Sequence, residues 1–317
     1  MKALVLGASG GSGQAIAQEL LSRGIDTILF GRSKEKLEAL VKEWGNPKGL
    51  EIGVGDVFDK GSLLPYFRKV DLVFQAANPG YVDMEKQLIP LGRAVMQAAE
   101  ETSKSVVFVD GVYVYGKNPG YPVEETYPFK AHTKKGRLKV EFANLVFSNI
   151  WKNARALIVR LPDYYGPTSQ MAYLNPTFES FISGKPALFF GSLKPKREYV
   201  YLPDAAKMIV EISLKKDSYG ENWNIPATDV IGGNEILEIS KDILGKIPMV
   251  IPIGKRILQF LGLFDRFLKE VVEMTYLLED PLVLSGKKYS ERIGTIPKTN
   301  YRDGIRITLE SLSKKNG

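Results

Sequence analysis

Three glycines and two lysines are the residues of this sequence best spaced to do chemistry. Gly7, Gly10 and Gly13 sit in the stretch GASGGSG, between a strand-like apolar run and a helix-like one. Gly7 permits a tight turn, Gly10 lets backbone approach a pyrophosphate, and Gly13 allows close packing of helix on strand. Ser9 and Gly11 complete the loop, and the helix N-terminus that follows attracts negative charge. That pattern points to a dinucleotide cofactor. Lys135 and Lys139, in HTKKGRLKVEF, stand four residues apart. In a cleft, repulsion between them and desolvation would both lower a lysine pKa, which would suit proton exchange near neutral pH. The plainer alternative is that one lysine holds a phosphate and the other snorkels into water.

Other chemistries are excluded or weakened. The 317 residues contain no cysteine and one histidine, His132. Thiol nucleophiles, disulfides and cysteine-ligated metals are ruled out, and His-rich metal sites and a Ser-His-Asp triad are disfavoured, so no metal is expected. The absence of cysteine fits a reducing cytoplasm. The net charge of +7 comes from scattered lysines without a nucleic-acid motif, which suits a solvated surface or attraction for an anionic cofactor. The N-terminal apolar run is too short for a signal peptide. The apolar zone 251–278 is interrupted by Lys255, Arg256, Asp265, Arg266, Lys269 and Glu270, so it reads as an amphipathic packing helix rather than a membrane span. A pocket wall or the face of a homodimer are its alternatives. The expected partner is a small molecule, with neither nucleic acid nor membrane.

The elements that must position these residues alternate. Strands are expected at 2–7, 27–31, 50–56, 70–77, 104–111 and 154–162, with helical patterns between the first five. Such alternation means right-handed crossovers and a doubly wound parallel α/β sheet. Beyond Pro162 the pattern loosens; 197–212 reads as a strand end and helix returning to the sheet, and 221–226 as a short strand. The expected division is a cofactor domain over 1–163 plus about 197–225, and a smaller, mainly helical substrate lobe over about 164–196 plus 226–317. At the end of the second strand Gly31, Arg32, Ser33 and Lys34 precede the first carboxylate, Glu35. A carboxylate there would read a ribose 2′-hydroxyl, whereas Arg32 can stack on adenine and fork onto a phosphate. NADP(H) is therefore favoured, with NAD(H) as the alternative. Asp56 and Val57 would meet the adenine, and Ala76, Ala77 and Asn78 would border the nicotinamide half.

Together these motifs resemble the extended short-chain dehydrogenase/reductase superfamily of sugar-nucleotide epimerases and dehydratases. VVFVDGVYVYG looks like its strand leading to V-Y-G, VRLPDYYGP (159–167) like R-x-x-N-x-Y-G-P, and REYVYLPDAA like R-D-x-x-x-V-x-D. The resemblance implies a Rossmann fold, and catalysis by a Ser or Thr followed by Tyr-x-x-x-Lys. Here Gly111 stands at the Ser/Thr position and the tyrosine is absent. Aligning Glu141 would place Thr133 and Arg137 in the two later roles, while aligning the glycine places Lys135 and Lys139 there. At about 100° per residue, both lysines lie within about 40° of the apolar stripe Leu138, Phe142, Leu145, Val146 and Ile150, whereas Thr133 and Arg137 point away. On the glycine alignment Lys139 holds the nicotinamide ribose and Lys135 replaces the tyrosine. Tyr113, or less favourably Tyr115, could supply the lost hydroxyl. Asp163 replaces the usual asparagine and would repel a substrate pyrophosphate, unless Arg197, which resembles the arginine contacting substrate phosphate, neutralises it. Tyr164, Tyr165, Met171, Tyr173 and Phe178 suggest an apolar or aromatic pocket. The pattern is similar to atypical members with a degraded active site. Its implied function is hydride transfer on a small carbonyl or hydroxyl compound. The alternatives are a non-catalytic NADP(H) sensor or regulator, and a sugar-nucleotide epimerase or dehydratase.

Overall fold

Continuous apolar runs form the first strands because a parallel strand covered on both faces has no polar side. In the computed structural model, which describes residues 1–170 and 172–316, they are β1 (Lys2–Leu6), β2 (Asp26–Gly31), β3 (Leu50–Val54), β4 (Leu72–Gln75), β5 (Ser105–Gly111) and β6 (Arg155–Leu161). Between them run α1 (Gly11–Ser22), α2 (Lys34–Glu43), α3 (Lys60–Phe67), α4 (Met84–Thr102) and α5 (Lys134–Val146). Then follow β7 (Asp163–Tyr165), α6 (Asn175–Ser183), β8 (Ala187–Phe190), β9 (Lys196–Tyr201), α7 (Leu202–Ser213) and β10 (Asn222–Asn224). The chain closes with β11 (Val230–Gly232), α8 (Gly233–Leu244), β12 (Val250–Ile253), α9 (Lys255–Leu261), α10 (Arg266–Val272), α11 (Tyr276–Glu279), α12 (Lys287–Arg292) and α13 (Tyr301–Asn316).

The main sheet has the order β10-β6-β5-β4-β1-β2-β3. The pairs β1–β2, β1–β4, β2–β3 and β4–β5 are parallel, so the chain reverses its direction of winding at β1/β4. This is the doubly wound α/β sheet expected. β9 does not return to that sheet: it lies between β11 and β7 in a sheet of its own, and β8 pairs with β12.

Two compact units share the chain. The first is Met1–Gly111, Arg137–Arg160 and Ala206–Trp223; the second is Val112–Gly136, Leu161–Ala205 and Asn224–Gly317. Residues 112–136 thus leave the cofactor domain in which strand alternation put them. The reason is long-range pairing: Val123 bridges Leu284, and the buried Tyr115 hydroxyl bonds Asn224 Oδ1 at 2.8 Å. In the first unit β1 buries Ala3 to Leu6 completely and α1 covers it with Ile16, Ala17 and Leu20. Each such Leu or Ile removed from water contributes about 1.5–3 kcal/mol. In the second unit Tyr165, Phe178, Phe189, Tyr199 and Ile305 form one core cluster. Tyr165 and Phe178 are therefore packing residues rather than pocket lining; Tyr164 and Tyr173 are half-buried, and Met171 lies outside the described residues.

The apolar zone 251–278 is not one helix. It breaks at Gly254, at Gly262 and again after Val272 into β12, α9, α10 and the start of α11. Only part of its apolar surface turns inward, with Leu258 and Val271 fully buried and Phe264 80% exposed. α5 ends at Val146, which leaves Ile150 exposed and outside the expected stripe.

Glu198, in the middle of β9, is a buried carboxylate of the second unit. It accepts from the Ala227 N–H at 3.1 Å and the Leu284 N–H at 2.7 Å. Burial outweighs these bonds and pushes its pKa up to about 8. The native state therefore holds this proton more tightly than the unfolded chain does. The resulting stability is full below the ordinary carboxylate range and is lost as pH rises through about 8. Chemical denaturation from about pH 5 to about pH 9 should show a steeper decline for the wild type than for Glu198→Gln; parallel profiles would refute this.

Candidate functional site

The β1–α1 loop is shaped by two glycines that the protein itself requires. Gly7 has a left-handed φ of 76°, and a Cβ there would stand 2.5 Å from Ala77 N. A Cβ on Gly13 would stand 2.4 Å from the Gly7 carbonyl oxygen. Gly10 differs: its φ is −84°, and an added Cβ would meet nothing closer than Gly7 O at 3.4 Å. The protein's own packing leaves room for a Cβ at Gly10. Gln14 braces the turn by donating to the Ser9 carbonyl at 3.0 Å. α1 begins at Gly11 with no side-chain cap and no acidic residue in its first turn. An uncapped helix N-terminus behind a glycine loop suits a phosphate.

The sheet lines up the remaining cofactor candidates at the carboxyl ends of adjacent strands. Arg32 is exposed just beyond β2. Its nearest following carboxylate, Glu35, turns to its own helix: the Ser33 hydroxyl lies 2.9 Å from Glu35 Oε2. The Glu35 backbone N–H and that hydroxyl hold the carboxyl below its usual range. Asp56 is exposed after β3 and accepts from the Phe58 N–H at 3.1 Å, while Val57 is buried. Ala76 and Ala77 are half-buried after β4 and Asn78 is exposed.

α5 packs on β5 through Phe142 and Phe108, whose rings meet edge to face at 5.5 Å. This seats Lys139, 3% exposed, at the end of β5. Its Nζ lies 2.5 Å from Asp110 Oδ1 and 3.4 Å from Asn78 Oδ1. Asp110 also accepts from Arg160 Nη1 at 2.9 Å, and that nitrogen reaches the Gly111 carbonyl at 3.3 Å. All three charges are buried. Asp110 and Arg160 were not identified from sequence. Their signal was a charge near the end of each of two otherwise apolar strands, SVVFVDG and RALIVRL, which are neighbours in the sheet.

Lys135 corrects an expectation. It is buried as predicted, but its Nζ is held by Glu270 and by Glu273, the latter at 2.8 Å, and its backbone N–H donates to Glu273 Oε1 at 2.9 Å. Burial alone would lower its pKa, but the two carboxylates outweigh it and raise the pKa above the ordinary lysine value. Lys135 is thus a fixed ammonium rather than a lysine poised near neutrality. Arg137 is exposed, as its helical position predicts; Thr133 is buried instead, because its Oγ1 accepts from the Gly136 N–H at 3.0 Å.

Tyr113 lies in a single 3-10 turn, Tyr113–Tyr115, just beyond β5 as expected, and it is half-buried. A Cβ on Gly136 would come 2.9 Å from its carbonyl oxygen, so the turn packs against the first turn of α5. Nearby in the second unit a cavity of about 520 Å³ is lined by Lys117, His132, Thr133, Glu273 and Tyr276 among others. His132 packs edge to face on Tyr276 at 4.5 Å.

The Arg197 charge acts on Asp163, but its guanidinium is held by backbone. Arg197, 4% exposed, donates to the carbonyls of Phe190 at 3.0 Å and Ser192 at 2.7 Å, and it lies over the Phe189 ring at 5.3 Å. Asp163 accepts from the Tyr164 N–H at 2.9 Å, while its buried Oδ2 has no hydrogen-bond partner. Desolvation pushes its pKa up to about 7, against the Tyr164 N–H and the charge of Arg197.

A glycine cradle at the β1/β4 switch point, with α1 opening behind it, is the layout of dinucleotide-binding folds. The chain belongs to the NAD dependent epimerase/dehydratase family, whose model matches residues 3–225. Its fold is similar to that of UDP-glucose 4-epimerase from Thermotoga maritima, solved with UDP-glucose, at a TM-score of 0.78 and 19% identity over 100% of both chains. A double mutant of dTDP-glucose 4,6-dehydratase from Streptomyces venezuelae, solved with NAD, matches at a TM-score of 0.81 and 21% identity, covering 100% of this chain and 98% of that one. Among curated proteins, a 7beta-hydroxysteroid dehydrogenase from Clostridium sardiniense is 53% identical over 51 residues, 16% of this chain and 20% of that protein. An inactive hydroxysteroid dehydrogenase-like protein from Pongo abelii is 42% identical over 52 residues, 16% of each. Both curated matches span a fifth or less of the relative's own length. No helix among the described residues is long and apolar enough to cross a membrane.

Two outcomes test the site. Gly10→Ala should cost less than about 1 kcal/mol of stability yet weaken dinucleotide binding, measured by calorimetry, by tenfold or more. Gly13→Ala should instead cost about 2 kcal/mol or more, because its Cβ meets backbone. Equal effects of the two would refute the distinction. Lys135→Met should lower unfolding stability by about 1–2 kcal/mol, a value reduced by the part-exposure of Glu270 and Glu273. Adding Glu270→Gln and Glu273→Gln should recover part of that loss, and unchanged stability of Lys135→Met would count against the ion-pair anchor.

Proposed function

We propose that this chain binds NADP(H) and transfers a hydride to or from a small carbonyl or hydroxyl compound. The observation that carries the reading is the glycine cradle at the uncapped N-terminus of α1, with exposed Arg32 at the end of β2 and Glu35 engaged by its own helix cap. The residues fit the cofactor in kind. The α1 amides and Gly10 would receive the pyrophosphate, Arg32 the 2′-phosphate, Asp56 and Val57 the adenine, and Ala76 and Ala77 the nicotinamide half. When bound, the cofactor supplies the hydride. Lys139 would hold the nicotinamide ribose, oriented by Asp110. Lys135, fixed as an ammonium by two carboxylates, is poorly suited to relay a proton, so that role passes to Tyr113.

The substrate reading also rests on Arg197. Its guanidinium is occupied by two backbone carbonyls, which leaves it poorly placed to receive a substrate phosphate. Asp163, half-ionised near neutral pH, would disfavour a pyrophosphate. A neutral or weakly polar substrate fits this lining better than a sugar nucleotide. A second reading, a non-catalytic NADP(H) sensor, is favoured by the engagement of both lysines in ion pairs.

Calorimetry with NADPH and NADH, followed by NADPH oxidation over a panel of aldehydes and ketones, tests these readings together. Arg32→Ala should weaken NADPH at least tenfold and NADH little. Tyr113→Phe should abolish turnover with cofactor affinity retained. Tight NADPH binding without turnover would favour the sensor, and a preference for NADH would refute the role of Arg32. Binding of UDP-glucose would return the sugar-nucleotide epimerase to first place.

A further inference from the structure

The α9–α10 hairpin presents its apolar side chains outward. Ile257, Phe260, Leu263, Phe264 and Phe267 are 47%, 62%, 76%, 80% and 40% exposed. Clustered exposure of this kind marks an interaction surface, whereas single exposed residues do not. The hairpin is built to hold that shape. Leu258 and Val271 anchor its inner side, fully buried. Gly262 brings the two helices together, since a Cβ there would stand 2.9 Å from Lys269 Cα.

Three features fit one occupant, a lipid surface with anionic headgroups. First, three successive amides of the tip are bonded from within. The N–H groups of Leu263, Phe264 and Asp265 donate to the carbonyls of Phe260 and Leu261 at 3.2, 3.0 and 3.1 Å. Such a turn can enter a medium of low dielectric without exposing orphan donors. Second, the acids of the segment are already engaged. Asp265 accepts from the Leu268 N–H at 2.8 Å, and Glu270 is held by Lys135. Third, Arg256, Arg266 and Lys269 are exposed beside the apolar tip. Aromatic and aliphatic tips flanked by unneutralised cations suit the interface of an anionic bilayer. The same cations disfavour a second copy of this chain, because pairing two tips would bring like charges together.

We propose that the α9–α10 hairpin docks the protein reversibly on anionic membranes, with Leu263 and Phe264 inserted and Arg256, Arg266 and Lys269 at the headgroups. The expectation that no membrane takes part was drawn from the lack of a spanning run, and interfacial docking needs none. The proposal does not depend on the chemistry of the cofactor site.

Flotation of the full chain with vesicles of phosphatidylcholine alone, and of phosphatidylcholine with phosphatidylglycerol, tests it. The protein should float with the anionic vesicles at low salt and much less at high salt. Leu263→Ser/Phe264→Ser should abolish flotation with the melting temperature unchanged, since both side chains face solvent. Arg266→Gln/Lys269→Gln should lower the partition coefficient about fivefold per cation removed. No flotation at low salt, or equal flotation of the tip variant, would overturn the proposal. So would light scattering that shows a dimer dispersed by the tip variant while vesicles are ignored.

Discussion

Two buried cations share one buried carboxylate at the end of β5. Taking each of these ions out of water costs several kcal/mol, offset only by close geometry. Asp110 supplies that geometry, with one oxygen 2.5 Å from Lys139 Nζ and the other 2.9 Å from Arg160 Nη1. Without it, two like charges would face each other in the first unit's interior. The position of Lys139, and with it the part of the site that would meet a nicotinamide ribose, depends on this one residue. Neighbours of similar fold share only about a fifth of their sequence with this chain.

The sheet was legible because burial on both faces writes itself into each strand as an unbroken apolar run, from ALVL in β1 to ALIV in β6. The β1–α1 loop was legible because its left-handed turn at Gly7 and the approach of Gly13 to the Gly7 carbonyl are local, although Ala77 also closes on Gly7. Lys135 was not, because the carboxylates that fix its charge lie 135 and 138 residues away. The helical wheel found its inward face correctly but could not show what waited there. Residues 112–136 were misassigned for the same reason: Val123 pairs with Leu284 and Tyr115 with Asn224, contacts with no local signature. In 251–278 the apolar residues were plain, but which of them faced inward depended on Gly262 folding the segment back on itself.

The second unit uses its polar residues mostly against its own backbone. Arg197 serves two carbonyls, and Glu198, next to it on β9, serves two amides. Because their side chains point to opposite faces of the strand, the pair tie β9 to segments on both sides. The Arg197 guanidinium is thus held by two backbone carbonyls, and Asp163 is left with one buried oxygen unpartnered.

The capping of α5 has a kinetic consequence. Its first turn takes the Glu273 carboxylate on the Lys135 amide, so this helix start is completed by a residue far along the chain. Contacts of such separation form late, after the loop-closure entropy between them has been overcome. As the chain is synthesised from its N-terminus, the β1–α1 cradle can form from neighbouring residues early. The first turn of α5, held locally by the Thr133 hydroxyl on the Gly136 amide, gains its second acceptor only after residue 273 has been made.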